Sequence, residues 1–171
     1  MHDAPDPEEI ARVGKWFAME CNNRAWALAA LQLRTAADDD EMLTAAHASA
    51  FHWRQVGNET NRALAAMLLA EVHALIGDAP RARRHAQECF DFVTSRESPA
   101  WQVAFAHAIL AHAAAVANDG ALHATHYESA SRVASSLSEG DRAVFDQTWR
   151  MIPPPLSRAC PPALPTAPAG E

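Results

Sequence analysis

Helix start and stop signals recur along this chain at helix-length intervals, and they leave little room for any other element. Asp6-Pro7-Glu8-Glu9 supplies an N-cap, a proline at the first helical position and a glutamate at the third. Asp38 with Glu41 repeats the capping-box pattern, Asn58 follows the stop residue Gly57, and Asp78 follows Gly77. Ser98-Pro99 and Asn118-Asp119-Gly120 mark two further breaks, and Ser138 with Asp141 opens a short last segment. Between these signals apolar residues return at spacings of three and four, as one face of a helix requires. The first segment carries Ile10, Val13, Phe17, Cys21, Leu28 and Leu31, and the second Leu43, Ala46, Ala50 and Trp53. Leu64, Leu68, Val72, Leu75 and Ile76 then lead to Ala82, Ala86, Cys89, Phe90 and Val93. Trp101, Phe105, Ala108, His112 and Val116 precede Tyr127, Ala130, Val133 and Leu137. The pattern predicts six long helices and one short one, the first running to about Leu33 and the last ending near Arg150.

Alanine makes up about a fifth of the chain. It is the strongest helix former and lets helices approach closely, so an all-α chain with tight helix contacts is expected. No stretch alternates apolar and polar residues long enough to read as a strand. The 171 residues are enough for one domain with a substantial core. Residues 6–152 carry the helical pattern and residues 1–5 lie outside it. From residue 153 the character changes, because seven of the eleven prolines fall between 153 and 171 with no apolar period between them. Both ends are therefore expected to be disordered. Pro165-Thr166-Ala167-Pro168 matches a short recognition motif of an endosomal sorting domain, and four letters in a proline-rich stretch are a chance match.

The helices also repeat. Leu69-Ala70, Gly77, Ala82, Ala86 and Cys89 return about 41 residues later as Leu110-Ala111, Asn118, His123, Tyr127 and Ala130, and a fainter copy begins at Leu28-Ala29. The unit around Gly77 resembles a tetratricopeptide (TPR) repeat, with a large then a small residue in its first helix, a glycine turn, and three small residues in its second. Units longer than 34 residues, with Ala and His at some signature positions, depart from a strict TPR. The stretch from Asn22 to Leu75 is similar to an uncharacterised bacterial family of TPR-like proteins. It carries N-N-x-x-W as Asn22, Asn23 and Trp26, then A-H-A-S-x-x-H-W-x-x-x-G as Ala46, His47, Ala48, Ser49, His52, Trp53 and Gly57, with Asn61 and Arg62 after it. The resemblance implies a right-handed TPR-like α-α superhelix of three antiparallel hairpins, closed by a short C-terminal capping helix. It implies no activity.

A net charge of -7 argues against nucleic acid and anionic membranes as partners, since both are bound through excess Lys and Arg. Three scattered cysteines without a CxxC fit free thiols in a reducing compartment. The acidic first residues do not form a signal peptide and no apolar run is long enough to span a bilayer, so the cytoplasm is the expected location.

Nine histidines raise the question of a metal. His47 with His52, and His107 with His112, are five apart and point about 140° away from one another around a helix. His123 and His126 share a face, but no HExxH and no Cys/His quartet accompanies them, so neither metal nor cofactor is expected. No GxSxG elbow, catalytic cysteine context or glycine-rich phosphate loop is present, and the acids Asp38 to Glu41 read as a capping cluster. One group stands out: Asn23, Trp26, His47, His52, Trp53, Asn61 and Arg62, with Asn22 and Ser49 beside them. Polar side chains packed among apolar helices need partners. They either fix the register of the first hairpin or converge on a groove with indole walls. The leading expectation is a non-catalytic scaffold for a protein or peptide of unknown identity, with self-association as a variant. The alternative is a small-ligand-binding protein or an enzyme built on the Asn/His/Trp cluster.

Overall fold

The computed structural model describes residues 6–155. Residues 1–5 and 156–171, with the expected N-terminal and C-terminal disorder and the Pro165 to Pro168 motif, lie outside the described residues. Seven helices and no strand occur among the described residues: α1 (Pro7–Ala29), α2 (Ala36–Val56), α3 (Glu59–Leu75), α4 (Ala79–Thr94), α5 (Ala100–Val116), α6 (Gly120–Ala134) and α7 (Glu139–Trp149). Each helix from α1 to α5 packs on its successor, while α1 on α3, α3 on α5 and α5 on α7 place the odd-numbered helices side by side.

The turns follow from local chemistry and recur at the repeat spacing. At the end of α3 the Gly77 amide donates to the Ala74 carbonyl and the Asp78 amide to that of His73, with Gly77 at φ 81°. At the end of α5 the Asn118 and Asp119 amides do the same to Ala115 and Ala114, with Asn118 at φ 58°. Both are left-handed helix caps, a conformation that glycine and asparagine tolerate best. Asp78 and Asp119 then cap α4 and α6, each accepting from the amide of the third helical residue.

Three details of the first hairpin depart from the sequence reading. Helix α1 stops at Ala29 rather than Leu33, because Arg34 folds back beneath it. The guanidinium pairs with Asp39 at 2.6 Å and donates to the carbonyls of Ala29 and Leu75, leaving Leu33 in solvent. Thr35, not Asp38, caps α2: its hydroxyl accepts from the Asp38 amide while the Asp38 carboxylate accepts from the Thr35 amide. Glu41 is thereby free to pair with Arg24 at 2.6 Å. Of the expected α1 stripe only Leu28 is fully buried; Ala18, Ala25 and Ala29 make the contact, while Ile10, Phe17 and Leu31 are exposed. Alanine permits close approach, and Gly14 extends it, since a Cβ there would lie 3.2 Å from Val56 Cγ1.

Alanine dominates the core throughout. One cluster joins α3, α4, α5 and α6 around Met67, Cys89, Phe105, Ile109 and Leu110, with Phe145 of α7. A second joins α1, α2 and α3 around Leu28, Met42, Leu68 and Val72. Trp26 packs against both. An edge-to-face and stacked series, Phe105 to Phe145 to Trp149 to Tyr127, seats α7 over α5 and α6. Ile152 is buried, and His123 Nε2 bonds the Pro153 carbonyl oxygen at 2.9 Å, tying down the start of the proline-rich stretch.

Candidate functional site

The seven residues singled out in the sequence do not share a site. Asn61 is the third residue of α3 and exchanges hydrogen bonds with Asn58, its amide and side-chain oxygen completing a capping box. Arg62 donates to the Gly57 carbonyl at 3.0 Å, closing the α2–α3 turn. Trp53 packs on the second core cluster, and its carbonyl accepts from the Gly57 amide. Gly57 is obligatory for space: a Cβ would sit 2.6 Å from the Trp53 carbonyl oxygen and 2.9 Å from Asn61 Cβ. His52 stacks on Phe17, ring centres 5.6 Å apart. Ser49 donates to the Ala18 carbonyl at 2.9 Å, a buried bond that sets the register of α1 against α2. Asn23 is exposed and accepts only from the neighbouring Asn22.

His47 belongs to a different group. Its ring meets His73 edge to face at 5.6 Å, and His73 stacks on His85 at 5.8 Å, so three imidazoles run across α2, α3 and α4. Both His73 ring nitrogens are buried without a hydrogen-bond partner, with Asp78 Oδ2 at 3.5 Å from Nδ1. Burial pushes His73 down to about 4, against a smaller upward pull from Asp78. His47 and His85 are lowered by burial first and then by nearby arginines. A second pair, His107 and His126, is joined Nδ1 to Nδ1 at 2.9 Å beneath Phe90. One ring must donate and the other accept, so at least one of the two rings is neutral. Burial, then His126, puts His107 at about 4. His123 and His126, which share a helix face by spacing, take different partners. Among the described residues no group of three or more His, Cys, Asp and Glu is arranged to hold a metal ion. Burial raises the Cys89 thiol to about 12, which leaves it a core side chain rather than a nucleophile.

The most apolar-walled cleft between several helices lies elsewhere. A cleft of about 490 Å³ opens between α1 and α7, with α3 and α5 contributing to its walls. Trp26, Leu64, Met67, Trp101 and Phe105 form its apolar lining, and Asn22, Asp141, Gln147 and Thr148 its polar one. Asp141 is the only charged residue among them. A larger and more polar groove of about 940 Å³ continues past Ala30, Gln147 and Met151 toward Arg34 and Arg150. No family model, curated protein or solved structure matches the chain.

Of the seven sequence candidates only Trp26 lines this cleft. Leu64, Trp101 and Phe105 were legible only as core stripes, and Met67 belonged to no stripe read from the sequence. A usable signal existed in the repeat, because Trp26 and Met67, and likewise Leu64 and Phe105, occupy equivalent positions one repeat apart. Equivalent positions on stacked first helices face the same way, so the repeat predicts a shared surface that no single helix shows.

The two central helices that contribute to the cleft, α3 and α5, are joined by a buried pair that the sequence does not reveal. Glu71 Oε2 on α3 and His112 Nδ1 on α5 are 2.9 Å apart, both side chains buried, and Glu71 Oε1 has no partner. Such a pair resists sliding of α3 along α5, since either group alone would be left desolvated.

Proposed function

We propose that this chain is a non-catalytic helical scaffold of TPR-like architecture, three stacked hairpins in a right-handed superhelix with α7 as cap, acting in the cytoplasm. Its cleft between α1 and α7 holds an apolar segment of a protein partner. The observation that carries this reading is the cleft itself, where two indoles, a phenyl ring, Leu64 and Met67 form a continuous apolar wall. Apolar anchors set into such pockets dominate peptide recognition, and a few polar groups set orientation. Asp141, alone in charge, favours a segment with a basic residue beside its apolar anchors.

Selection from a random peptide library displayed on phage, followed by calorimetric titration of the enriched sequences, tests the proposal. Enriched peptides carry spaced apolar residues, and Trp101→Ala weakens them at least about tenfold, a loss of roughly 1.4 kcal/mol. Val144→Lys, placed on the exposed rim, gives the same loss without touching the core. A library without enrichment, or binders indifferent to both substitutions, would remove the reading.

The second reading, a small-ligand site, draws support from one number. About 490 Å³ falls within the roughly 300–1,000 Å³ usual for such sites. A small apolar compound that raises the thermal midpoint of the wild type, but not of Val144→Lys, would favour it over a peptide.

A further inference from the structure

A second surface, separate from the cleft, lies on the first hairpin. Ile10, Trp16, Phe17 and Phe51 each stand about half in solvent. Ile10, Val13, Phe17, Phe51 and Val56 wall a groove of about 560 Å³ lined by α1 and α2 alone. Phe51 lies nine residues, two and a half turns, from the buried Met42, and so projects from the side of α2 opposite its core contact. This face is therefore the outside of the terminal hairpin, where no other described helix reaches.

We infer that this face joins two copies of the chain about a two-fold axis. Two observations select a second copy over other occupants. The first is shape: the face presents ring-sized projections, Phe17 and Phe51, on the walls of the groove itself. A two-fold contact requires a surface that carries both knob and hole, because each copy offers the same patch. The second is charge. The chain as a whole is at -7, yet the segments that flank the groove, residues 7–20 of α1 and 50–56 of α2, carry three acids (Glu8, Glu9, Glu20) and three bases (Arg12, Lys15, Arg54). Two copies meet here without the repulsion their other faces would impose, whereas a basic partner or an anionic lipid surface finds no field to attract it.

Sedimentation velocity on the full chain from about 1 to about 100 μM, a range that brackets ordinary dimer affinities, decides the matter. The wild type sediments as a dimer, and Phe17→Glu and Phe51→Glu each raise the dissociation constant at least tenfold with helix content unchanged. Gln55→Arg, an exposed position lining the groove, gives the same shift by like-charge contact across the axis and serves if a phenylalanine variant loses helicity. Trp101→Ala leaves the dimer intact, which separates this face from the peptide cleft. A wild type that stays monomeric throughout, or a dimer indifferent to all three groove substitutions, overturns the inference. So does a monomer that floats with phosphatidylcholine/phosphatidylglycerol vesicles through Phe51, which would assign the face to a lipid surface.

Discussion

Glu71 on α3 and His112 on α5 stand 41 residues apart, one repeat period, and meet at 2.9 Å through Oε2 and Nδ1 with neither side chain open to solvent. Each follows the Leu-Ala pair of its own repeat, Leu69-Ala70 and Leu110-Ala111. The contact therefore joins equivalent positions of successive first helices, where the first unit has Ala30. Stacking turns a one-dimensional repeat into a side-by-side pair.

Removing one partner leaves the other buried and unsatisfied. Glu71→Ala or His112→Ala is expected to lower unfolding free energy by about 3–5 kcal/mol, while Glu71→Leu combined with His112→Leu costs less than either single change. Urea unfolding of the four proteins measures the coupling, and additive losses would show that the two groups act independently.

Five imidazoles, His47, His73, His85, His107 and His126, are held below their ordinary value by burial. A lowered folded-state pKa means that the unfolded chain takes up protons first. Stability is thus intact above about pH 6.5 and declines as pH falls toward 4, the value for His73 and His107. The combined loss by pH 4 is expected to reach a few kcal/mol. His73→Leu removes two unpartnered ring nitrogens and reduces the slope of stability between pH 7 and pH 5; an unchanged slope would place the acid sensitivity elsewhere.

Gly57 is constrained by distance rather than by φ, which is an ordinary -92°. Gly57→Ala drives a methyl to 2.6 Å from the Trp53 carbonyl oxygen and is expected to cost about 1–3 kcal/mol. A thermal midpoint equal to that of wild type would mean that the α2–α3 turn opens more readily than its contacts imply.

The two left-handed caps rank differently under substitution. At Gly77, φ 81°, alanine is expected to cost about 1–2 kcal/mol and asparagine clearly less, because Asn118 already holds that conformation one repeat later. Equal losses for Gly77→Ala and Gly77→Asn in chemical unfolding would refute this account of the turns.

The caps at Asp6, Asn58, Asp78 and Ser138 were readable from a few adjacent residues, since each N-cap bond closes within one helical turn. So was the spacing of the turns at Gly77 and Asn118. The core of α1 was not. Ile10 and Phe17 have the right period for burial, yet among the described helices α1 packs only on α2 and α3 and has a helix against only part of its circumference, so Ala18 and Ala25 are enclosed instead. Nor was the dispersal of the Asn/His/Trp cluster legible, because residues close in sequence diverge around a helix. Asn61 turns to its cap, His47 to His73, and Trp26 to the cleft.

By itself the sequence determined what is local: helix content, the positions of the breaks and the period at which they recur. Only the tertiary structure decided which residues share a surface. The cleft joins four helices from across the chain and the Glu71–His112 pair spans a full repeat, and both depend on how helices stack. That stacking is set by the close approach alanine and glycine allow, a property of two surfaces together that neither helix carries alone.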